Sequence, residues 1–285
     1  MVILGHMQRL APIPIIDIGG DGPSLHFAHA NAYPPRCYRQ LLKSLSSDFH
    51  VWAIEQRPLW PDQAVQDLDG WRLFVGDLLR ALENHDHSPV IGAGHSLGAV
   101  VTMMAAVQRP DLFSALVLIE PVLLPPALLQ AAREHPDEAR KIPIAQRARK
   151  RRNRWPSRRA AFGHYRQKSV FRRLSDQALW DYVNYGFVDA LDGGVMLRFP
   201  REWEAAIYGQ PPLEIWDILP RLTLPTLAIR GAQSDTVGDD AGQRGQALQQ
   251  DAHFVELAGS GHLVPLESPD TVSRLTRDFV HDVLT

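Results

Sequence analysis

The sequence predicts an α/β fold: a mostly parallel sheet flanked by helices and interrupted late in the chain by an inserted helical lobe. Three observations carry this reading. Short apolar or β-branched runs alternate with longer amphipathic segments from Leu25 to Leu123. The composition then changes after Pro121, and strand-like sequence resumes at Leu224.

The first block supplies candidate strands at Leu25–His29, His50–Glu55, Val90–His95 and Ala115–Ile119. Between them the helical period appears at Pro35–Ser46, Gly70–Glu83 and Ser96–Gln108. In the last of these, Ala99, Val100, Met103, Met104 and Val107 recur at three- and four-residue spacing, which predicts one broad buried face closed by Arg109-Pro110. After Pro125-Pro126 comes a highly charged helical region to about Arg173 and then aromatic-rich segments to about Trp216. The strand pattern returns at Pro225–Arg230, followed by a helix at Asp239–Gln250, a strand at His253–Leu257 and a final helix at Pro269–Val283.

With 285 residues, 45% of them hydrophobic and 22% charged, the chain has apolar material for one large core or a core with a small accessory lobe. Lys and Arg total 30 against 32 Asp and Glu, so a net charge of -2 offers no global attraction to nucleic acid or to anionic membranes. The one cysteine, Cys37, excludes an intramolecular disulfide. The N-terminus lacks a basic segment followed by an apolar run, so no secretory signal is expected. The longest apolar stretch, Val122–Ala132, is broken by two prolines and is too short to span a bilayer. A cytoplasmic location is therefore the expectation.

The strongest chemical signal is Gly94-His95-Ser96-Leu97-Gly98, a Gly-x-Ser-x-Gly placed between an expected strand and an expected helix. A sharp turn at that junction strains the serine, exposes its hydroxyl above the strand ends and leaves no room for side chains at Gly94 and Gly98. A serine hydroxyl is a weak nucleophile near neutral pH, so Ser96 needs a base and a group that orients the base. In this arrangement the order along the chain is serine, acid, histidine. His262, in the loop Gly259-Ser260-Gly261-His262 after the last strand, occupies the position of the base. For the acid, Asp235, in the loop after Pro225–Arg230, is the first choice; Glu120, at the end of the strand after the nucleophile helix, is the alternative. Asp239 and Asp240 sit at a helix start, where an interaction with the helix dipole accounts for them.

Negative charge developing on a carbonyl oxygen needs fixed N–H donors. The Leu97 N–H is one candidate; the Asn31 N–H, in the small-residue loop His29-Ala30-Asn31-Ala32, is the other. Tyr33 and Trp60, on core loops beside the nucleophile, and His95, within the motif, are expected to line the substrate pocket.

Taken in order, His29-Ala30-Asn31, Gly94-His95-Ser96-Leu97-Gly98, Arg230-Gly231-x-x-Ser234-Asp235 and Gly261-His262 resemble the α/β-hydrolase superfamily over nearly the whole chain. The resemblance implies an eight-stranded, mostly parallel sheet flanked by helices, with an insertion after the sixth strand forming a cap over the site. The core is then assigned to 1–122 and 216–285 and the helical cap to 123–215. Two departures stand out: Ala30 replaces the glycine usual after the histidine, and Gln56–Pro61 replaces a glycine-rich loop. Glu120 matches the acid position of a subset resembling haloalkane dehalogenases. Those enzymes and the epoxide hydrolases use an aspartate nucleophile, and Ser96 argues against both reactions.

The cap carries Trp155, Trp180 and Trp203, with Trp216 at its edge, and Tyr165, Tyr182, Tyr185 and Tyr208. Such aromatics suit apolar acyl or aromatic ligands, and most serve the lobe's own core. Its Arg-rich stretch, Arg147 to Arg159, reads as a solvated helix face and has no nucleic-acid-binding module beside it. The expectation is a serine hydrolase acting on a carboxylic ester or related acyl compound. A small-molecule substrate is expected, with no metal or organic cofactor and no nucleic-acid partner. C–C bond hydrolysis of a ketonic substrate by the same residues is the near alternative. A ligand-binding or interaction protein with little turnover is the alternative from another class.

Overall fold

A computed structural model describes residues 12–85 and 88–284 of the protein; the N-terminal segment read for a signal lies outside them. The chain begins with strand β1 (Ile15–Gly19) and strand β2 (Ser24–Ala28), and a short 3₁₀ turn then leads into helix α1 (Arg39–Leu45). Next come β3 (His50–Ile54), α2 (Arg72–Glu83), β4 (Val90–His95), α3 (Leu97–Gln108) and β5 (Phe113–Ile119). The insertion follows, with α4 (Pro126–Glu134), α5 (Pro136–Ala139), α6 (Pro143–Lys150), β6 (Arg154–Trp155), α7 (Arg158–Arg166), α8 (Asp176–Tyr185), β7 (Phe187–Asp189), β8 (Val195–Leu197), α9 (Arg201–Tyr208) and α10 (Ile215–Ile218). The chain closes with β9 (Thr226–Gly231), α11 (Asp239–Leu248), β10 (His253–Leu257), α12 (Val264–Glu267) and α13 (Pro269–Leu284).

The main sheet runs β1-β3-β2-β4-β5-β9-β10, with β1 antiparallel to β3 and every other pairing parallel. Among the described residues it therefore has seven strands rather than eight. The two-residue period of a strand divides its side chains between two helical layers. Leu116 and Leu118 of β5 join Val75, Leu78 and Val100 from α2 and α3 on one face. Ala115, Val117 and Ile119 join Leu41, Leu45 and Phe279 from α1 and α13 on the other. Both faces are covered, which is why these strands read as continuous apolar runs.

The strand and helix assignments of the core hold to within a residue or two, except that the expected helix Pro35–Ser46 opens as a 3₁₀ turn over Pro35–Tyr38 before α1; three further features differ from expectation. Strand β1 gives no strand pattern in the sequence because Ile15 and Asp17 face solvent at the sheet edge. Helix α3 is buried from Leu97 through Ala106 on all sides, not on one face, because it packs against β2, β4, β5, α2 and α10. The insertion is not purely helical: β6, β8 and β7 form a three-stranded antiparallel sheet whose short strands gave no periodic signal. No helix among the described residues is long and apolar enough to cross a membrane.

Candidate active site

Ser96 stands at the carboxyl end of β4 with φ 55° and ψ -116°. The turn leaves no room for larger neighbours. A Cβ on Gly94 would lie 2.6 Å from the Gly98 backbone, and one on Gly98 would lie 2.0 Å from the Ala28 carbonyl oxygen. Ser96 holds the N-cap position of α3 without using its side chain as a cap. Its Oγ is instead 3.0 Å from Nε2 of His262. The Leu97 N–H, at the first position of α3, belongs to the helix-terminal donors that have no carbonyl four residues back.

On the other side of the imidazole, Nδ1 of His262 is 2.9 Å from Oε2 of Glu120. Glu120 is fully buried and sits just beyond β5, with its backbone at φ 49°. Its carboxylate accepts from the Gly231 N–H at Oε1 and from the Ser234 hydroxyl at Oε2, each at 2.6 Å. With these donors directed at the carboxylate, the remaining contact is satisfied by a proton on Nδ1 of His262, which leaves Nε2 free to accept from Ser96. Of the four non-glycine residues with positive φ among the described residues, Asp62 lies in another loop and the other three, Ala32, Ser96 and Glu120, put backbone strain on the loop after β2, the serine and the acid alike.

Asp235, the acid favoured from the sequence, does not reach His262. It is exposed, and its carboxylate accepts from the Thr236 hydroxyl at 3.4 Å. Ser234 causes this. Its Oγ accepts from the Thr236 and Val237 N–H groups at 3.2 and 3.0 Å, a side-chain turn that aims Ser234 at Glu120 and Asp235 outward. The sequence presents Ser234 only as the residue before Asp235 in the Arg230–Asp235 motif, which gives it no role of its own. The loops bearing Glu120's donors and His262 are also joined directly, by Gln233 N–H to Ser260 C=O at 2.9 Å. Gly231 permits this approach, since a Cβ there would fall 2.4 Å from the Gly261 carbonyl oxygen.

A cavity of about 310 Å³ opens over Ser96 and His262. Ala30, Asn31, Tyr33, His95 and Leu97 line its floor side, and Trp71, Val122, Leu124, Ile142, Ile144 and Ile207 make much of its wall apolar. Tyr208 and Thr236 add hydroxyls, and Asp235 stands among the lining residues. Trp60 does not line it: its indole N–H bonds the Glu55 carbonyl and its ring packs under Arg57, 4.9 Å away. Trp71, from the following helix start, takes the place expected of Trp60.

The insertion is tied to the core beside this cavity. Helix α9 accepts the Asn31 side-chain amide at the Glu204 carbonyl, 3.1 Å, and the Trp71 indole at the Ile207 carbonyl, 3.2 Å. Glu204 is paired with Arg151, whose guanidinium also reaches the Tyr165 and Tyr182 hydroxyls at 2.7 and 3.0 Å. Burial raises the Glu204 carboxyl above the usual range while Arg151 opposes that rise. The Arg-rich stretch is thus partly an internal scaffold: Arg151 is turned inward, Arg154 and Arg158 pair with Asp192 and Asp189, and Trp155 is buried.

Three buried histidines on the core side stay neutral. Burial lowers His29 to about 4, and its Nε2 accepts the Gln56 N–H at 3.1 Å while Nδ1 donates to the Ala30 carbonyl at 2.9 Å. Burial lowers His26 to about 3. His95 is held well below the usual imidazole range by burial and by His262 beside it. No cluster of metal-ligating side chains occurs among the described residues.

Residues 27–275 match the model of the alpha/beta hydrolase family. The chain is 28% identical over 246 residues to the uncharacterized hydrolase YugF of Bacillus subtilis (strain 168), covering 85% of this chain and 84% of that protein. Among solved structures it resembles E-2-(acetamidomethylene)succinate hydrolase, with a TM-score of 0.78 at 21% identity over 94% of each chain. It also resembles a thermophilic esterase from Thermogutta terrifontis, with a TM-score of 0.71 at 19% identity over 97% of each chain. With the family model matched from β2 into α13 and the parallel sheet carrying a serine turn after β4, the chain belongs to the alpha/beta hydrolase family.

Proposed function

We propose that this protein is a serine hydrolase of a carboxylic ester or related acyl compound, with Ser96 as nucleophile, His262 as general base and Glu120 as the acid that orients it. The observation carrying this reading is the unbroken chain from Ser96 Oγ through His262 to Glu120, at 3.0 and 2.9 Å. As Ser96 attacks the carbonyl carbon, its proton passes to Nε2 of His262. Glu120 stabilises the imidazolium that results. The Leu97 and Asn31 N–H groups are assigned to the oxyanion, each worth about 3 kcal/mol in barrier height. The Ala30 N–H is already committed to the Tyr38 hydroxyl, at 3.2 Å, which favours Asn31 for this role. His262 returns the proton to the leaving group. Water then enters, is deprotonated by His262 and releases the acid from Ser96.

The insertion acts as the cap, and the apolar wall formed by Trp71, Leu124, Ile142 and Ile207 favours a compact apolar acyl or aromatic group. The test is labelling by a fluorophosphonate probe followed by a panel of acyl esters of increasing chain length. Labelling and turnover that vanish in Ser96→Ala are the expected result. Folded protein that is neither labelled nor active, or that is labelled equally in Ser96→Ala, would refute the assignment.

A further inference from the structure

Two buried side chains with no part in the proposed chemistry connect its two halves. The Tyr38 hydroxyl accepts from the Ala30 N–H, at 3.2 Å, in the loop that bears Asn31. The same hydroxyl is 2.8 Å from Nδ1 of His95, and Nε2 of His95 is 2.8 Å from the backbone carbonyl oxygen of His262. Both side chains are fully buried, and His95 directly precedes Ser96.

With the buried His95 ring neutral, the direction of every bond in this chain follows from donor chemistry. A carbonyl oxygen only accepts, so Nε2 of His95 carries the proton and gives it to the His262 carbonyl. Nδ1 is then an acceptor and takes the Tyr38 O–H, whose oxygen in turn accepts from Ala30. Each group is satisfied once, and the chain has one arrangement.

We propose that Tyr38 and His95 are positioning residues that set the oxyanion loop and the His262 loop against one another across the strained Ser96 turn. Resting on the hydrolase reading above, this assigns to them the alignment of the donors over the carbonyl oxygen with the base beside the serine. Most of the apolar wall comes from Trp71 and the insertion, with His95 only at the cavity floor, so loosening the brace acts mainly on the reacting geometry. Proximity of this kind is steep, and misplacement by about 1 Å is enough for a roughly 100-fold loss.

The experiment measures kcat and KM on a p-nitrophenyl ester for Tyr38→Phe, His95→Leu and His95→Gln, with circular dichroism and Tm on each variant. The expected result is a roughly 10- to 100-fold lower kcat in Tyr38→Phe and His95→Leu with KM within about twofold. Gln keeps an N–H within reach of the His262 carbonyl, so His95→Gln is expected to recover most of the loss. An unchanged kcat in folded Tyr38→Phe, a loss expressed in KM alone, or equal kcat losses for Gln and Leu would overturn the proposal. Should these variants not fold, ¹⁵N NMR of the unaltered protein decides. A neutral His95 protonated on Nε2 supports the brace, and a proton on Nδ1 or a charged ring refutes it. That measurement needs no turnover, so it separates failure of the brace from failure of the hydrolase reading, which is read from Ser96-dependent labelling.

Discussion

Glu120 Oε2 lies 2.9 Å from Nδ1 of His262, from a position at the end of β5 rather than after β9. If this carboxylate orients the base, Glu120→Gln should lower kcat about 10³- to 10⁴-fold, the scale seen when a triad acid is made neutral. Asp235→Asn, at the cavity margin, should change it less than about threefold. Steady-state kinetics on the two variants decide between the acids, and a larger loss at Asp235 would reverse the assignment.

Ser234 supplies a donor to the Glu120 carboxylate and accepts two backbone N–H groups in its own turn. Ser234→Ala removes a hydrogen bond to a charged group, worth about 1.5–3 kcal/mol, and leaves the turn's N–H groups without their acceptor. Urea unfolding should register a loss of that size, and kcat should fall about tenfold as Glu120 loses one of its restraints. Wild-type stability and rate in this variant would show that the Gly231 N–H alone suffices.

At Gly98 the difficulty is steric. A methyl group would meet the Ala28 carbonyl oxygen at 2.0 Å, and its near neighbours are backbone atoms of Ala28 and His29, with no flexible side chain to yield. Gly98→Ala should therefore cost about 1–3 kcal/mol or more by forcing α3 away from β2. Gly76→Ala, in the middle of α2 with open space around the added carbon, is the control and should match or exceed the wild-type Tm, because alanine is the better helix former. Thermal unfolding of the pair checks both.

Stability should fall on acidification well before the carboxylates titrate. His26 and His29 are lowered to about 3 and about 4 in the folded chain, against about 6.5 when unfolded. Between these values the unfolded state binds more protons than the folded state, so unfolding free energy rises with pH through the window and is lost as pH drops below about 6.5. The slope is up to about 1.4 kcal/mol per pH unit for each histidine. Urea midpoints measured between about pH 7.5 and about pH 5 test this, and His26→Phe should flatten the slope; a midpoint independent of pH over that range would contradict it.

Much of the architecture was legible because local signals and tertiary burial agree in the core. β2, β4, β5 and β9 are apolar runs because both sheet faces are covered, and Gly94 and Gly98 are glycines because the serine turn admits nothing larger. The meeting of Ser96 and His262, at 3.0 Å, is expected from the same logic of strand ends and chain order. The small sheet of β6, β7 and β8 and the edge strand β1 did not, since strands of a few residues, or with one polar edge, carry too little pattern to compete with their surroundings.

What the sequence determined by itself was the fold class, the place of the serine turn and the candidates able to serve it. Choosing among those candidates was a matter of distance in three dimensions. Asp235 and Glu120 both follow strand ends facing the site, and nothing in their local sequence separates them. The outward turn made by Ser234 and the approach of Gly231 to the His262 loop bring Glu120, not Asp235, to the imidazole. Trp71 replaces Trp60 at the cavity, and Tyr38 meets His95, for the same reason: these contacts join segments distant in the chain, and only the packed sheet and insertion determine their separation.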